Sequence, residues 1–226
     1  MRLILFDIDG TLLDCGRQVR PLFAAALEEV FGTTGDVHGY DFAGKTDPRI
    51  VFDLMTGSGV PREAVCEGMP LLRQRYLERL ESGLRREEMR LLPGVADLLE
   101  RLSGRPELDL GLLTGNWEMG ARIKLGRFGL NRFFSFGAFG DDAVERSELP
   151  PVALRRAAAA SGRLFTAAET LIVGDSVLDV ACARAHGVRA LAVATGRTAA
   201  TDLQAAGADW VVTDLGIAHR ALPLLA

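Results

Sequence analysis

The start of the 226-residue chain carries the feature that most restricts its fold. Four consecutive apolar residues, 3–6, lead directly to the carboxylates of Asp7 and Asp9, and Gly10-Thr11 follows at once. A short apolar run that stops at turn-forming residues is typical of a buried strand. We therefore expect a buried first strand that presents Asp7 and Asp9 at its carboxyl end, at the centre of an active site.

Two later apolar runs end in the same way. Residues 108–113 lead into Thr114-Gly115-Asn116, and residues 170–173 lead into Gly174-Asp175-Ser176. Stretches of helical periodicity separate these runs, and strands that alternate with helices predict a parallel sheet covered on both faces. Parallel pairing brings the carboxyl ends of the strands to one edge of the sheet, where such folds place their chemistry. The polar residues after all three strands should therefore meet.

The segment that follows the first strand has helical periodicity throughout. Apolar residues recur at helical spacing after Pro21, between Pro48 and Met55, and from Pro61 to about Arg86, where the pattern fits one helix or two. We predict an α/β protein whose core comprises residues 1–15 and 89–226, with an all-helical cap, residues 16–88, inserted after the first strand. In the core, we expect helices at about 94–102, 119–128, 151–161 and 178–186, and further strands at 134–139, 189–194 and 210–212.

Composition narrows the range of partners. The formal net charge of -4 gives no basic surface for nucleic acid or an anionic membrane. No apolar stretch of about 18 residues is present to span a bilayer. The three cysteines are far apart and lack metal-ligand spacing, which is typical of a reducing compartment. We expect a cytoplasmic monomer or homodimer that acts on a small molecule.

The acidic residues at the strand ends suggest metal-assisted chemistry. If the strand ends meet, Asp7, Asp9 and Asp175 converge, with Asp179 one helical turn later. Such a cluster needs a hard cation to offset its repulsion, and oxygen ligands suit Mg2+. One carboxylate can attack phosphorus and form an acyl phosphate, while a second acid protonates the leaving oxygen and later activates water. Asp7 suits the attack and Asp9 suits the proton transfer.

Phosphoryl transfer also requires donors for the negative charge that spreads over the phosphoryl oxygens. The hydroxyl of Thr114, the backbone N–H of Gly115 and the side-chain amide of Asn116 can supply these donors. We therefore predict a small phosphorylated substrate held at this edge of the sheet.

The motifs resemble those of the haloacid dehalogenase (HAD) superfamily. Asp7-Ile8-Asp9-Gly10-Thr11 is similar to its first motif, Leu113-Thr114-Gly115-Asn116 to its second, and Gly174-Asp175-Ser176-Val177-Leu178-Asp179 to its fourth. The order and approximate separations also match, so the resemblance covers essentially the whole chain. It implies a Rossmann-like core with a helical cap inserted after the first strand, as in the phosphoglycolate phosphatase and beta-phosphoglucomutase branches.

The resemblance also implies residue roles. Asp7 would be the nucleophile and a Mg2+ ligand, and Asp9 would be the general acid and base that binds the metal through its backbone carbonyl. Asp175 would be a further ligand, Asp179 a ligand or a carboxylate beside the ligands, and Thr114 a phosphate-binding hydroxyl. In the cap, Lys45 and Asp47 are candidates for substrate selection, because caps of this kind often extend a polar loop towards the substrate.

The third motif departs from the family pattern. It normally provides a lysine just before a proline at the start of a helix, but Glu148 stands near that place in this chain. Arg146, two residues upstream, can instead provide a permanent cation with a forked set of donors. Lys124 is the second candidate, although its place in the preceding helix favours the surface.

Together these features predict a Mg2+-dependent phosphatase that hydrolyses a small phosphorylated metabolite through an aspartyl-phosphate intermediate. A phosphomutase of the beta-phosphoglucomutase type and a catalytically weak binding or regulatory protein are the alternatives. A metal-free dehalogenase is disfavoured by Asp9, because attack on carbon with halide as the leaving group requires no acid at that position.

Overall fold

A computed structural model of the chain describes residues 2–221. The strands are β1 (Leu3–Phe6), β2 (Leu13–Asp14), β3 (Arg90–Leu91), β4 (Asp109–Leu113), β5 (Gly137–Ala138), β6 (Thr170–Gly174), β7 (Arg189–Val193) and β8 (Trp210–Val212). The α-helices are α1 (Val19–Phe31), α2 (Asp47–Gly57), α3 (Arg62–Gly83), α4 (Val95–Ser103), α5 (Glu118–Gly126), α6 (Leu149–Ser161), α7 (Val177–Ala185), α8 (Ala200–Ala205) and α9 (Ala218–Ala221). Within the described part of the chain, no helix combines the length and apolar character required to cross a membrane.

Six strands form one parallel sheet in the order β5-β4-β1-β6-β7-β8. The first strand lies inside the sheet between β4 and β6, and all four of its side chains are fully buried. Phe6 pairs with Leu112 on one side and with Val173 on the other. Because this register aligns the carboxyl ends of the three strands, the residues that follow them meet at one edge, as predicted.

Alternate residues of β1 contact different layers of helices. Ile4 and Phe6 belong to a core cluster that includes Leu98 of α4, whereas Leu3 and Leu5 belong to a second cluster with α6 and α7. Helices therefore cover both faces of the sheet, which explains why the strands are continuous apolar runs rather than alternating ones. This arrangement confirms the predicted α/β fold class.

A helical insertion containing α1, α2 and α3 follows β2. The chain leaves and re-enters the core through a short antiparallel ribbon, in which Leu13 pairs with Leu91 and Asp14 pairs with Arg90. Two-residue strands carry too little periodicity to be predicted, so the sequence indicated the insertion but missed the ribbon that anchors it. The boundaries of the cap, residues 16–88, remain a prediction.

The structure resolves one open expectation and shortens one strand. The segment after Pro61, where the pattern fitted one helix or two, forms one 22-residue helix, α3, which continues through Pro70. Within it Leu71 is 46% exposed, whereas Leu72, Tyr76 and Leu80 are buried. The strand expected at 134–139 is limited to Gly137–Ala138, because a 3-10 helix ends just before it at Phe133.

Candidate active site

Three buried carboxylates converge at the carboxyl edge of the sheet. Asp7 directly follows β1, Asp175 directly follows β6, and Asp179 lies in the first turn of α7. One oxygen from each of the three lies within 4.8 Å of the others. Ser176 fixes the local geometry: its hydroxyl caps α7 by accepting the N–H of Asp179, and Asp179 Oδ2 accepts the N–H of Ser176 at 3.0 Å.

A buried arginine lies against this cluster. Arg146 begins the 3-10 turn before α6, and its side chain is buried. Its guanidinium is 3.0 Å from Asp7 Oδ1 and 2.5 Å from Asp179 Oδ1, and it also donates to the carbonyl of Leu113. The structure therefore places Arg146 beside Asp7, where the sequence required a cation in place of the usual lysine.

The single positive charge of Arg146 does not neutralise the three carboxylates of the cluster. Burial, with smaller contributions from Asp179 and Asp9, raises the pKa of Asp7 to about 6 despite the nearby Arg146. Burial, followed by repulsion from Asp179 and Asp7, raises the pKa of Asp175 to about 8. Burial and repulsion between the acids therefore both disfavour the charged forms of Asp7 and Asp175 when the site contains only protein groups.

The donor set fits a hard divalent cation. Carboxylate oxygens are the ligands that Mg2+ prefers, and a dication would offset the excess negative charge of Asp7 and Asp175. Asp179 differs from these two because the protein already uses both its oxygens, Oδ1 towards Arg146 and Oδ2 towards Ser176. The carboxylates of Asp7 and Asp175 are therefore the better placed ligands, and Asp179 orients Arg146.

Gly10 makes room for this cluster. Its φ of 84° lies in the left-handed region, and a Cβ at this position would collide with the carboxylate of Asp175. Any larger residue would therefore meet both backbone strain and a clash with Asp175. The positive φ and the nearby Asp175 carboxylate therefore explain why a glycine follows the two acids of the first motif.

Asp9 lies outside the three-carboxylate cluster and belongs to a separate polar network. Its Oδ2 accepts from Asn116 Nδ2 at 2.8 Å and from Lys124 Nζ at 2.6 Å. Asn116 also donates to Thr114 Oγ1 at 2.8 Å and accepts from Lys124 Nζ at 2.6 Å. The second motif and Lys124 therefore hold the side chain of Asp9 directly.

The expectation that Lys124 lies on the surface is wrong. Its side chain is 3% exposed, because it shares the inward face of α5 with Ala121 and Gly120, and that face packs against α3. Burial by itself lowers the pKa of Lys124, but the Asp9 carboxylate and other nearby groups outweigh burial and raise it. Lys124 is therefore a charged lysine. A lysine within an otherwise ordinary helix gives no sequence signal of such a contact.

The polar loop of the cap docks on the second motif. Asp47 begins α2, its backbone N–H donates to the carbonyl of Gly115 at 2.7 Å, and its Oδ2 accepts the N–H of Trp117 at 2.8 Å. Burial raises the pKa of Asp47 to about 7. Lys45 is half-buried, with its Nζ 3.8 Å from the ring centroid of Tyr40. Asp47 therefore binds backbone groups of the core, whereas the ammonium of Lys45 contacts the ring of Tyr40 in the cap.

The cap and the core enclose a cavity of about 590 Å³. Its wall contains every site residue predicted from the sequence except Asp179, together with Lys124. The cap contributes aromatic wall residues that were not predicted, including Phe23 and Tyr76, whose rings meet edge to face at 4.9 Å. The predicted residues are thus brought together around one cavity large enough for a small metabolite.

Comparison with known proteins agrees with this geometry. The family model described as "Haloacid dehalogenase-like hydrolase" matches residues 4–193. The chain is 31% identical over 214 residues to a phosphoglycolate phosphatase of Synechococcus elongatus, covering 94% of this chain and 92% of that protein. It is 30% identical over 234 residues to the plasmid phosphoglycolate phosphatase of Cupriavidus necator, covering 98% and 91%.

Solved structures show the same fold. A hydrolase from Pseudomonas syringae superimposes with a TM-score of 0.69 at 23% identity, with 100% of both chains covered. The likeness in fold covers the full length of both chains. The chain belongs to the haloacid dehalogenase-like hydrolase family, and within it the chain is similar to phosphoglycolate phosphatases.

Proposed function

We propose that this protein is a Mg2+-dependent phosphatase that hydrolyses a small phosphorylated metabolite through an aspartyl-phosphate on Asp7. The observation that carries the proposal is the environment of Arg146, whose guanidinium contacts Asp7 at 3.0 Å. Among the described residues, the Nε of Arg146 is buried without a hydrogen-bond partner, and Arg146 lines the cavity. A nucleophilic carboxylate beside a cation with an unused donor suits an incoming phosphate.

The first half of the reaction transfers the phosphoryl group to Asp7. A carboxylate oxygen of Asp7 bonds to phosphorus while the ester bond to the leaving oxygen breaks, and Asp9 gives its proton to that oxygen. Arg146 offsets the charge of the phosphoryl oxygens. The hydroxyl of Thr114 and the backbone N–H of Gly115 supply further donors, whereas the side-chain amide of Asn116, predicted as a third donor, already donates to Asp9 and Thr114.

The second half releases inorganic phosphate. Asp9, now a carboxylate, takes a proton from water as the water oxygen bonds to phosphorus and the bond between phosphorus and Asp7 breaks. Asp7 is thereby restored as a carboxylate and Asp9 as an acid.

Asp7 and Asp175, with the backbone carbonyl of Asp9 and with Asp179 nearby, would hold Mg2+. When bound, this ion supplies positive charge to the phosphoryl oxygens. The predicted role of Lys45 is to select the substrate from the cap, because it belongs to the cap loop and lines the cavity. Phosphoglycolate is the first substrate to test, since the curated relatives are phosphoglycolate phosphatases.

The test is phosphate release from a panel of phosphate esters by wild type and Asp7→Asn. We expect wild-type turnover with Mg2+, loss of turnover with a chelator, and recovery when Mg2+ is added again. Asp7→Asn keeps the shape of the side chain but is a poor nucleophile, so its activity should fall by at least about 1,000-fold. Equal activity in both proteins, or an inactive wild type across the whole panel, would overturn the proposal. Conversion of a sugar phosphate into its isomer without phosphate release would indicate the mutase instead.

A further inference from the structure

The lysines of this chain are confined to its cavity. Of 26 basic residues 24 are arginine, and the two lysines, Lys45 and Lys124, both line the cavity. Lys124 is the more buried of the two, and its ammonium lies between Asp9 Oδ2 and Asn116 Oδ1, at 2.6 Å from each. Burying an ammonium is costly unless its partners are well placed, so this position calls for an explanation.

The two oxygens of Asp9 have unequal surroundings. Oδ2 receives the ammonium of Lys124 and the amide of Asn116, whereas Oδ1 is 3.7 Å from the thiol of Cys15. A thiol is a weak donor. Within residues 2–221, Oδ1 therefore has no charged or amide donor, and Asp9 lines the cavity. The contacts fix one oxygen and leave the other available to a substrate.

The two buried cations of the site act on different acids. Arg146 contacts Asp7 and Asp179, and Lys124 contacts Asp9. The planar fork of an arginine suits two carboxylates or a phosphate, whereas a compact ammonium fits between single oxygen atoms of Asp9 and Asn116. Lys124 is therefore matched to Asp9, and the phosphate-binding role that the sequence left open to it belongs with Arg146.

We propose that Lys124 is a positioning residue for Asp9, fixing Oδ2 so that Oδ1 is the oxygen that exchanges protons with the leaving group and with water. The inference rests on the proposed phosphatase reaction. In the first half, the proton moves from Oδ1 to the leaving oxygen as the ester bond breaks, and the charge left on Asp9 is stabilised at Oδ2 by Lys124 and Asn116. In the second half, Oδ1 takes a proton from water. Lys124 keeps its own proton throughout.

The leaving group provides the test. An alkoxide leaving group depends strongly on proton donation, whereas an acidic phenol leaves without much help. Lys124→Met should therefore lower kcat/KM by on the order of 100-fold for an alkyl ester such as glycerol phosphate, and by less than about 10-fold for para-nitrophenyl phosphate. For the alkyl ester the loss should lie in kcat rather than in KM, because Lys124 acts through Asp9 and not on substrate binding.

A matched control is Arg122→Met, which removes a cation from the same helix. Arg122 donates to the carbonyl of Phe134 and does not line the cavity. It should alter both substrates by the same factor. Lys124→Gln keeps an N–H donor, one bond shorter in reach and without the charge, and should show the same selectivity with a smaller loss. It serves as the main variant if Lys124→Met does not give a folded protein by circular dichroism.

The outcomes separate the two proposals. If the wild type is active and Lys124→Met loses kcat/KM equally on both esters, or loses only in KM, the positioning role is contradicted and the phosphatase proposal stands. A wild type that hydrolyses neither these esters nor the panel would remove the proposed function itself. A selective loss on the alkyl ester, absent in Arg122→Met, would support the positioning role.

Discussion

At the scale of single residues, Asp47 shows how packing changes the chemistry of a carboxylate. Its Oδ2 accepts the backbone N–H of Trp117, and its side chain is buried between α2 and the second motif. Burial raises its pKa to about 7, against about 3.9 in an unfolded chain. The folded protein therefore binds this proton more tightly than the unfolded chain does, so the contribution of Asp47 to stability falls as pH rises between these two values.

The prediction concerns Asp47→Asn. Asparagine keeps an oxygen for the N–H of Trp117 but does not titrate, so it removes this pH dependence. From pH 5 to pH 8, wild type should lose more free energy of unfolding than Asp47→Asn, by on the order of 2 kcal/mol. Urea unfolding at both pH values measures the difference. Identical pH dependence in the two proteins would show that the Asp47 carboxylate is not destabilised by folding.

Residue-scale prediction from sequence succeeded where the signal is local. The meeting of Asp7, Asp9 and Asp175 at one edge of the sheet was predictable because each lies within three residues of the end of a short apolar run, and the parallel register aligns those runs. Lys124 was misplaced because its environment depends on how α5 packs against α3. No pattern within α5 itself reveals that contact.

At the scale of elements, the loop that contains Gly115 determines how closely the cap approaches the core. The backbone N–H of Asp47 donates to the carbonyl of Gly115 at 2.7 Å, and a Cβ on Gly115 would collide with the carbonyl of Lys45. Asp47 is the first residue of α2, and Lys45 lies two residues before it. A side chain at position 115 would therefore push the cap loop away from the second motif.

We predict that Gly115→Ala lowers the free energy of unfolding by about 1–3 kcal/mol and kcat/KM by on the order of 100-fold, because the clash displaces groups around the phosphate. Gly57→Ala is the control, since a Cβ on Gly57, the last residue of α2, meets no atom within 4 Å. It should keep wild-type activity. Full activity in Gly115→Ala would show that the approach of the cap loop is not required for catalysis.

The elements that the sequence predicted well are those that each carry their own pattern. Buried strands such as β1 and β6 are short apolar runs with turn residues after them, and α1 ends at Gly32 with a left-handed φ of 68°. The ribbon of β2 and β3 was missed because pairing between distant dipeptides leaves no periodicity. The continuity of α3 through Pro70 was also unpredictable, because tertiary packing outweighs the one hydrogen bond that proline removes.

At the scale of the whole molecule, cap and core meet across a seam with many polar contacts. Arg73 of α3 pairs with Asp141 of the core at 2.5 Å, and Arg49 of α2 pairs with Glu145. Both arginines are partly exposed, and exposed ion pairs contribute about 0–1 kcal/mol each. Such contacts orient the cap without fixing it permanently, which suits a cavity that must admit substrate and release product.

The proposed reaction depends on one chemical event, the transfer of a phosphoryl group to Asp7. Turnover can be stopped with acid during steady state, and the acyl phosphate reduced with borohydride, which converts the modified aspartate to homoserine. Arg2 and Arg17 bracket the acid-rich segment, so one tryptic peptide, 3–17, contains the site.

Mass spectrometry of that peptide shows whether Asp7 carries the phosphoryl group during turnover. We predict homoserine at position 7 in wild type during turnover with Mg2+, none at Asp9 or Asp14, and none without substrate. Asp9→Asn is a useful companion, because slower hydrolysis of the intermediate should preserve the label with an aryl phosphate. Steady turnover with an unmodified Asp7 in both proteins would contradict the account.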